Sequence, residues 1–290
     1  MAADPQDQTP IRRIRVVIHS FFIIPFLIAV FAVLVFAMIK LVVGSPPNLE
    51  QALATISRGS ETERWQAAMD LTAMLQSRRD LQVEQAFRDQ LIFEYRRSLF
   101  ERKPYLRTYL ALAMGLVGDP AFDPYLIEGL DTPDQASRLA AIKALGLTGS
   151  DAGVATLVAL LQDPEPAVVL ESIISLGRLN RPEMVPILLP FLEHSEANMR
   201  WDAAVALAKL GDRSGWPIIN KLLDRSYYSQ FSQVNEIEQD RAITVAVEIA
   251  RQWPDELFKE NLETLSRNDP NLRIADAALK ALRVFKQAGL

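Results

Sequence analysis

The chain of 290 residues contains no cysteine and only two histidines. Without cysteine it can form no disulfide, no thiolate metal site and no cysteine nucleophile. His19 opens an apolar segment, and His194 falls in a predicted turn with no acidic or histidine residue at ligand spacing. A single turn histidine of this kind is usually an ordinary polar residue, so we predict no metal and no cofactor.

The chain also has no excess of basic residues. Its 31 Lys and Arg are outnumbered by 36 Asp and Glu, which gives a net charge of −5. Because nucleic-acid binding requires a basic face, we do not expect a nucleic-acid partner. No P-loop, G-x-G-x-x-G or G-x-S-x-G pattern is present, so the sequence names no catalytic residue and predicts a protein that is not an enzyme.

What the chain does have is an internal repeat. The segment from Arg200 to Asp212 returns three times at steps of 31 residues toward the N-terminus. A fixed period of this size is the signature of a solenoid of repeated helical units. The equivalent positions are Arg200, Val169, Arg138 and Arg107; Leu207, Leu176, Leu145 and Met114; and Gly211, Asn180, Gly149 and Gly118.

The residues upstream of each such segment repeat as well. Two sets of apolar residues lie four positions apart, so they share one face of a helix. Proline stands in the first turn of three of these helices, where its missing N–H is not needed. Each unit therefore reads as two helices joined by a short turn, and a Gly or Asn cap ends the second helix. The two apolar sets are Leu126, Leu157, Leu188 and Ile219, and Leu130, Leu161, Leu192 and Leu223.

This pattern resembles HEAT repeats, and most closely the short, alanine-rich form of the phycobilisome-lyase-like group. The resemblance implies an all-α, right-handed HEAT-like α-solenoid of about seven helical hairpins, with the second helix of each hairpin on the concave side. It carries little information on function, because such scaffolds support unrelated tasks. The residues that carry it are Arg200, Ala203, Ala204, Leu207, Leu210, Gly211, Asp212, Trp216, Pro217, Ile218 and Ile219.

A long apolar run precedes the repeats. No charged residue occurs from Val16 to Ile39, and nearly every residue from Phe21 to Ile39 is apolar. About 20 such residues span a bilayer as a helix, so we predict one transmembrane anchor. A cleaved signal peptide and a buried core helix are the alternatives, but the run exceeds a signal-peptide core and no clean cleavage site follows it. The predicted divisions are a disordered tail at 1–10, the anchor with its basic flank at 11–43, a linker at 44–47 and the repeat domain at 48–290.

Charge flanking this run predicts its orientation in an inner or plasma membrane. Arg12, Arg13 and Arg15 precede the run, whereas only Lys40 and Arg58 follow it within the relevant distance. Because cytoplasmic flanks carry the excess of Lys and Arg, the N-terminus is predicted to be cytoplasmic and the repeat domain periplasmic or otherwise extracytoplasmic.

The period breaks once. The position equivalent to Leu207 recurs at Ile249, 42 residues on, so about 11 extra residues lie within Ser226–Gln239. Insertions in repeat arrays map to one face, often the binding face. Tyr227, Tyr228 and Phe231 are therefore candidate partner contacts, and the alternative is that these rings pack over the adjacent helices.

Arginine recurs once per unit at Arg107, Arg138 and Arg200. These are also candidate contacts, for an acidic partner; the alternative, favoured because Val169 interrupts the row, is that each arginine bonds to a turn between units. We therefore predict a non-catalytic, membrane-anchored scaffold that binds a protein partner, as part of a membrane complex. The resemblance supplies an alternative function, which is chromophore attachment or an accessory role in it.

Overall fold

A computed structural model describes residues 26, 29–35, 48–77 and 83–290. It divides into two compact units, Met1–Gln51 and Ala52–Leu290. From Asn48 onward the described residues form fourteen α-helices, with short 3₁₀ segments and no strand. The helices are α1 (Leu49–Arg58), α2 (Glu61–Gln76), α3 (Gln85–Phe100), α4 (Pro104–Val117), α5 (Asp123–Glu128), α6 (Gln135–Thr148), α7 (Asp151–Leu160), α8 (Pro166–Leu176), α9 (Val185–Leu188), α10 (Ala197–Lys209), α11 (Trp216–Leu222), α12 (Glu236–Gln252), α13 (Glu256–Asn268) and α14 (Leu272–Ala288).

The first unit contains only a short described part of the predicted anchor. Residues 29–35 are helical, and the side chains of Phe26, Phe31 and Leu34 are exposed. Among the residues that the structure describes, no helix is both long enough and apolar enough to cross a membrane. Most of the predicted span from Phe21 to Ile39 lies outside the described residues, as do the tail at 1–10 and the linker at 44–47.

The second unit is an array of helix pairs, in which each odd-numbered helix is the first of a pair and each even-numbered helix the second. Four consecutive second helices begin at Pro104, Gln135, Pro166 and Ala197, each 31 residues after the last. The next begins at Glu236, 39 residues on, because a 3₁₀ segment intervenes. The predicted all-α solenoid is confirmed, and the described residues contain seven pairs.

The repeated apolar positions form the core. Met114, Leu145, Leu176 and Leu207 on the second helices are fully buried, as are Leu126, Leu157, Leu188 and Ile219 on the first helices. One pair has only one apolar face and cannot enclose it, so each pair depends on its neighbours for burial.

The predicted helix stops are confirmed at Gly118, Gly149 and Gly211, whereas α8 ends at Leu176, four residues before Asn180. Gly118, Gly149 and Gly211 have φ values of 71°, 62° and 81°, and Asn180 has a φ of 51°. This left-handed conformation is open to glycine and tolerated by asparagine, and it releases the chain from the second helix toward the next pair.

Small residues bring neighbouring second helices close together. A β-carbon added at Gly115 or Gly177 would lie 2.6 Å from the Cα atom of Ala144 or Ala206, respectively. At Gly146 it would lie 2.6 Å from the Cβ atom of Ser175. The first helices approach each other less closely than the second helices do. We call the side of the array formed by the second helices the inner side; that this side is concave stays a prediction.

Candidate partner-binding surface

The repeated arginines join one helix pair to the turns around it. Arg107 is only 4% exposed, and it donates to the hydroxyl of Thr132 and, at 3.3 Å, to the carbonyl of Ser98. These bonds match the structural alternative, and a role for Arg107 in partner binding stays a prediction.

The other two repeated arginines also bond to turns. Arg138 pairs with Asp163 at 3.0 Å and with Glu165 at 2.7 Å, both in the turn of the next pair. Arg200 donates to the carbonyls of His194 and Ser195 at 2.7 and 2.8 Å. The geometry therefore matches the structural alternative, and a role for Arg138 or Arg200 in partner binding stays a prediction.

The inserted aromatic residues pack onto α10. Tyr228 is 2% exposed, and its hydroxyl donates to the carbonyl of Leu222 at 2.9 Å. The indole N–H of Trp201 donates to the hydroxyl of Tyr227 at 3.2 Å, and the ring of Phe231 meets the Trp201 ring edge-on with centroids 5.1 Å apart. Tyr228 is thus buried, whereas Tyr227 and Phe231 are only partly buried, and a role for these rings in partner binding stays a prediction.

Five charged residues on the inner side form a group that the sequence reading missed. We call it the inner charge cluster: Lys143 on α6, Glu171 on α8, Arg178 just after α8, and Asp202 and Lys209 on α10. The 31-residue repeat does contain a sign of this cluster. Asp202 lies 31 residues after Glu171, and Lys209 lies 31 residues after Arg178, so the same charge returns in the same register.

The carboxyl groups of this cluster lie in a partly desolvated position. The pKa of Asp202 is raised to about 6, mainly by burial and also by the nearby charge of Glu171, against the opposing charges of Lys209 and Arg178. Burial likewise raises the pKa of Glu171 against the opposing charges of Arg178 and Lys143. The Oε1 atom of Glu171 lies 3.8 Å from Arg178 and has no hydrogen-bond partner among the described residues.

The cations of the cluster stand further out than its carboxyls. Lys209 and Arg178 are exposed, whereas Glu171 and Asp202 are only partly accessible. Burial also lowers the pKa of Lys209, and the nearby charge of Arg178 lowers it further. A second positive charge close to Lys209 means that an added negative charge would be stabilised there.

The preceding helix pairs present apolar side chains at the same positions. Leu147 on α6 stands 31 residues before Arg178, and Leu116 on α4 stands 31 residues before Leu147. Leu147 is 37% exposed, and Leu112 and Leu116 are partly exposed. At this register position the inner side is thus apolar on α4 and α6 and cationic at the ends of α8 and α10.

No group of three or more metal-ligating side chains comes together in the part of the chain that the structure describes. What the inner side does offer is exposed cations, partly buried carboxyls and apolar side chains in a fixed spacing. Such a surface can bind another molecule without covalent chemistry, through ion pairing and apolar burial.

The arrangement defines a class of protein: an α-solenoid of the HEAT type. Residues 97–175 and 154–231 match the family model for HEAT repeats, so this part of the chain is similar to HEAT repeats. No curated protein matches the chain.

Two solved structures are similar to this chain. A chain of the complex of CpcE and CpcF of phycocyanin lyase from Nostoc sp. PCC7120 is 21% identical, with a TM-score of 0.51 over 84% of this chain and 96% of that one. An archaeal HEAT-like repeats protein from Thermococcus onnurineus NA1 is 14% identical, with a TM-score of 0.42 over 84% of this chain and 99% of that one. At these identities the likeness concerns the fold alone.

Replacing Asp202 with asparagine is expected to stabilise the protein at neutral pH. Because the folded-state pKa lies above the ordinary value, the contribution of Asp202 to stability is present below about pH 4 and is lost as the pH rises through about 6. Asp202→Asn should therefore raise the free energy of unfolding by about 1–2 kcal/mol near pH 7.5 and by much less near pH 4.

Urea unfolding followed by circular dichroism at several pH values measures this difference. Asp276→Asn is the matched control, since the side chain of Asp276 is 58% exposed and should change stability little at either pH. A loss of stability on Asp202→Asn at neutral pH would show that its ion pairing outweighs its burial.

Proposed function

We propose that the protein is a non-catalytic scaffold that binds a protein partner along the inner side of its helix array and is held at a membrane by the segment from Phe21 to Ile39. The observation that carries the proposal is the set of side chains that the second helices leave exposed in a regular spacing, from Leu116 and Leu147 to Arg178 and Lys209. HEAT repeats are a protein-interaction fold, and the stacked pairs extend this surface over several units.

The membrane part of the proposal is supported by the sequence. The run is long enough to span a bilayer, and its described side chains Phe26, Phe31 and Leu34 are exposed apolar groups. Exposed apolar side chains in such number are stabilised by contact with lipid or another apolar surface. With the N-terminus cytoplasmic, the repeat domain would meet its partner on the extracytoplasmic side.

Site-specific photocrosslinking of the full chain in its native membrane tests the partner surface. Leu147 on the inner side and Leu189, beside the first helices, are each 37% exposed, so they form a matched pair of positions for a photoreactive amino acid. We expect one dominant crosslinked protein from position 147 and much less from position 189. Equal yields at both positions, or no crosslinked protein at either, would reject binding on the inner side.

The same preparation examines the other two parts of the proposal. Carbonate washing should leave the full chain in the membrane fraction, and release of the chain would reject the anchor. Chromophore attachment is the alternative function, and it has no support in this chain beyond the shared fold. A purified chain that carries a visible chromophore, in place of a crosslinked partner, would favour that alternative.

A further inference from the structure

We propose that the inner charge cluster binds an acidic, extended segment of the partner through Lys143, Arg178 and Lys209. This inference rests on the proposed function and names the chemistry of the partner. Arg178 and Lys209 occupy equivalent positions 31 residues apart at the ends of α8 and α10, and Lys143 lies on α6 one turn before Leu147, the position equivalent to theirs. We call these three cations the row.

The charged groups of this row form no close ion pair among the described residues, so they can bind carboxylates of another molecule. Lys143 and Lys209 form no ion pair within 4.0 Å among the described residues, and Arg178 contacts Glu171 only at 3.8 Å without a hydrogen bond. The arginines that join helix pairs behave differently, since Arg138 reaches Glu165 at 2.7 Å with direct hydrogen bonding. The row can therefore donate charge-assisted hydrogen bonds to the carboxylates of a bound molecule without breaking contacts that hold the fold together.

The difference in exposure between the cations and the carboxyl groups favours an acidic partner. Glu171 and Asp202 are less exposed than Arg178 and Lys209, so an approaching molecule contacts the positive groups first. Burial also disfavours the charged form of both carboxyls, which leaves the cluster with a positive balance. A basic segment would have to displace the cations before it reached either carboxyl.

The distance between the cations of the row determines the spacing of the acidic residues that a bound segment would need. Packed helices lie about 8–10 Å apart, and the glycine contacts of α6 with α8 and of α8 with α10 favour the short end of that range. An extended chain advances about 3.3 Å per residue, so an acidic residue at every third position would match one cation per helix. The exposed Leu147 and the partly exposed Leu116 next to the row fit apolar residues at one end of the same segment.

Two fluorescent peptides test the inference against the full-length protein in detergent. The first carries Glu at every third position and two leucines at one end, and the second has Lys in place of each Glu. Fluorescence anisotropy should show binding of the Glu peptide, and this binding should weaken as the ionic strength rises from about 0.1 M to 0.5 M because salt screens exposed charges. Tighter binding of the Lys peptide would overturn the proposal in favour of a basic partner.

Variants of the row locate the binding site. Arg178→Gln and Lys209→Gln should each weaken binding of the Glu peptide about three- to tenfold. Lys280→Gln is the control, because Lys280 is an exposed cation on α14 and pairs with Asp276 at 2.6 Å. Unchanged affinity in both row variants would reject this site. If crosslinking at position 147 still captured a protein, that outcome would leave the proposed function standing.

The pH dependence of binding gives an independent readout. Protonation of Asp202 removes a negative charge from the cluster, and the groups that act on this carboxyl are Lys209, Glu171 and Arg178. The Glu peptide should therefore bind more tightly near pH 5.5 than near pH 7.5, and Asp202→Asn should remove most of that difference. A pH response that persisted in Asp202→Asn would contradict the assignment.

Discussion

Replacing Arg225 with alanine is expected to lower the free energy of unfolding by about 3–5 kcal/mol, because the change leaves a buried carboxylate without its partner. The Nε atom of Arg225 donates to Asp269 at 2.6 Å, and its terminal nitrogen donates to Asp269 at 2.9 Å and to Asp240 at 2.6 Å. The side chain of Asp269 has no exposed surface. The network joins the inserted 3₁₀ segment to α12 and to the turn between α13 and α14.

Thermal and urea unfolding of the full chain measure this loss. Arg213→Ala is the control, since Arg213 is 74% exposed and lies 3.9 Å from Asp255, and exposed pairs contribute about 0–1 kcal/mol. Adding Asp269→Asn to Arg225→Ala should restore part of the stability, because it removes the stranded charge. If the control lost as much stability as Arg225→Ala, burial of the partner carboxylate would not be the cause.

Replacing Gly177 with alanine is expected to destabilise the protein by about 2–3 kcal/mol through overpacking between α8 and α10. The backbone preference at this position alone predicts that alanine would stabilise the protein. Gly177 has an ordinary helical φ of −65°, and alanine normally stabilises such a position by about 0.5–1 kcal/mol. The added β-carbon would lie 2.6 Å from the Cα atom of Ala206, so the neighbouring helix would have to move.

Two further variants separate overpacking from backbone preference. Adding Ala206→Gly to Gly177→Ala removes one of the colliding carbons and should recover part of the loss. Gly211→Asn places a side chain where no atom lies within 4 Å of the added β-carbon, and the equivalent residue in the preceding unit is Asn180. We expect Gly211→Asn to change stability by less than about 1 kcal/mol. A gain of stability in Gly177→Ala would contradict the close approach of the two helices.

The repeated part of the fold could be predicted because its causes are local. Leu207 and its equivalents set the buried face of each second helix, and Gly211 and its glycine equivalents set where that helix ends. Both effects act within a few residues, so a 31-residue spacing in the sequence became a 31-residue spacing of helices.

The remaining features depend on contacts that the period does not describe. Arg225 meets Asp269 across 44 residues, and the aromatic rings of the insertion turn inward because Trp201 lies beneath them. The pKa of Asp202 depends on how far α8 and α10 bury it, which follows from the small residues at their contact. Neither the composition nor the repeat period of the sequence predicts these tertiary contacts.

The longer step between α10 and α12 limits the length of segment that the inner side can hold. With the inserted residues counted, the next position in the register of Lys209 is Arg251, 42 residues on, and this cation already pairs with Glu248 at 2.5 Å. In the other direction the register continues as leucine. Three helices about 8–10 Å apart cover roughly 16–20 Å, which corresponds to about five or six extended residues. The row of cations on the inner side therefore ends where the regular 31-residue period ends.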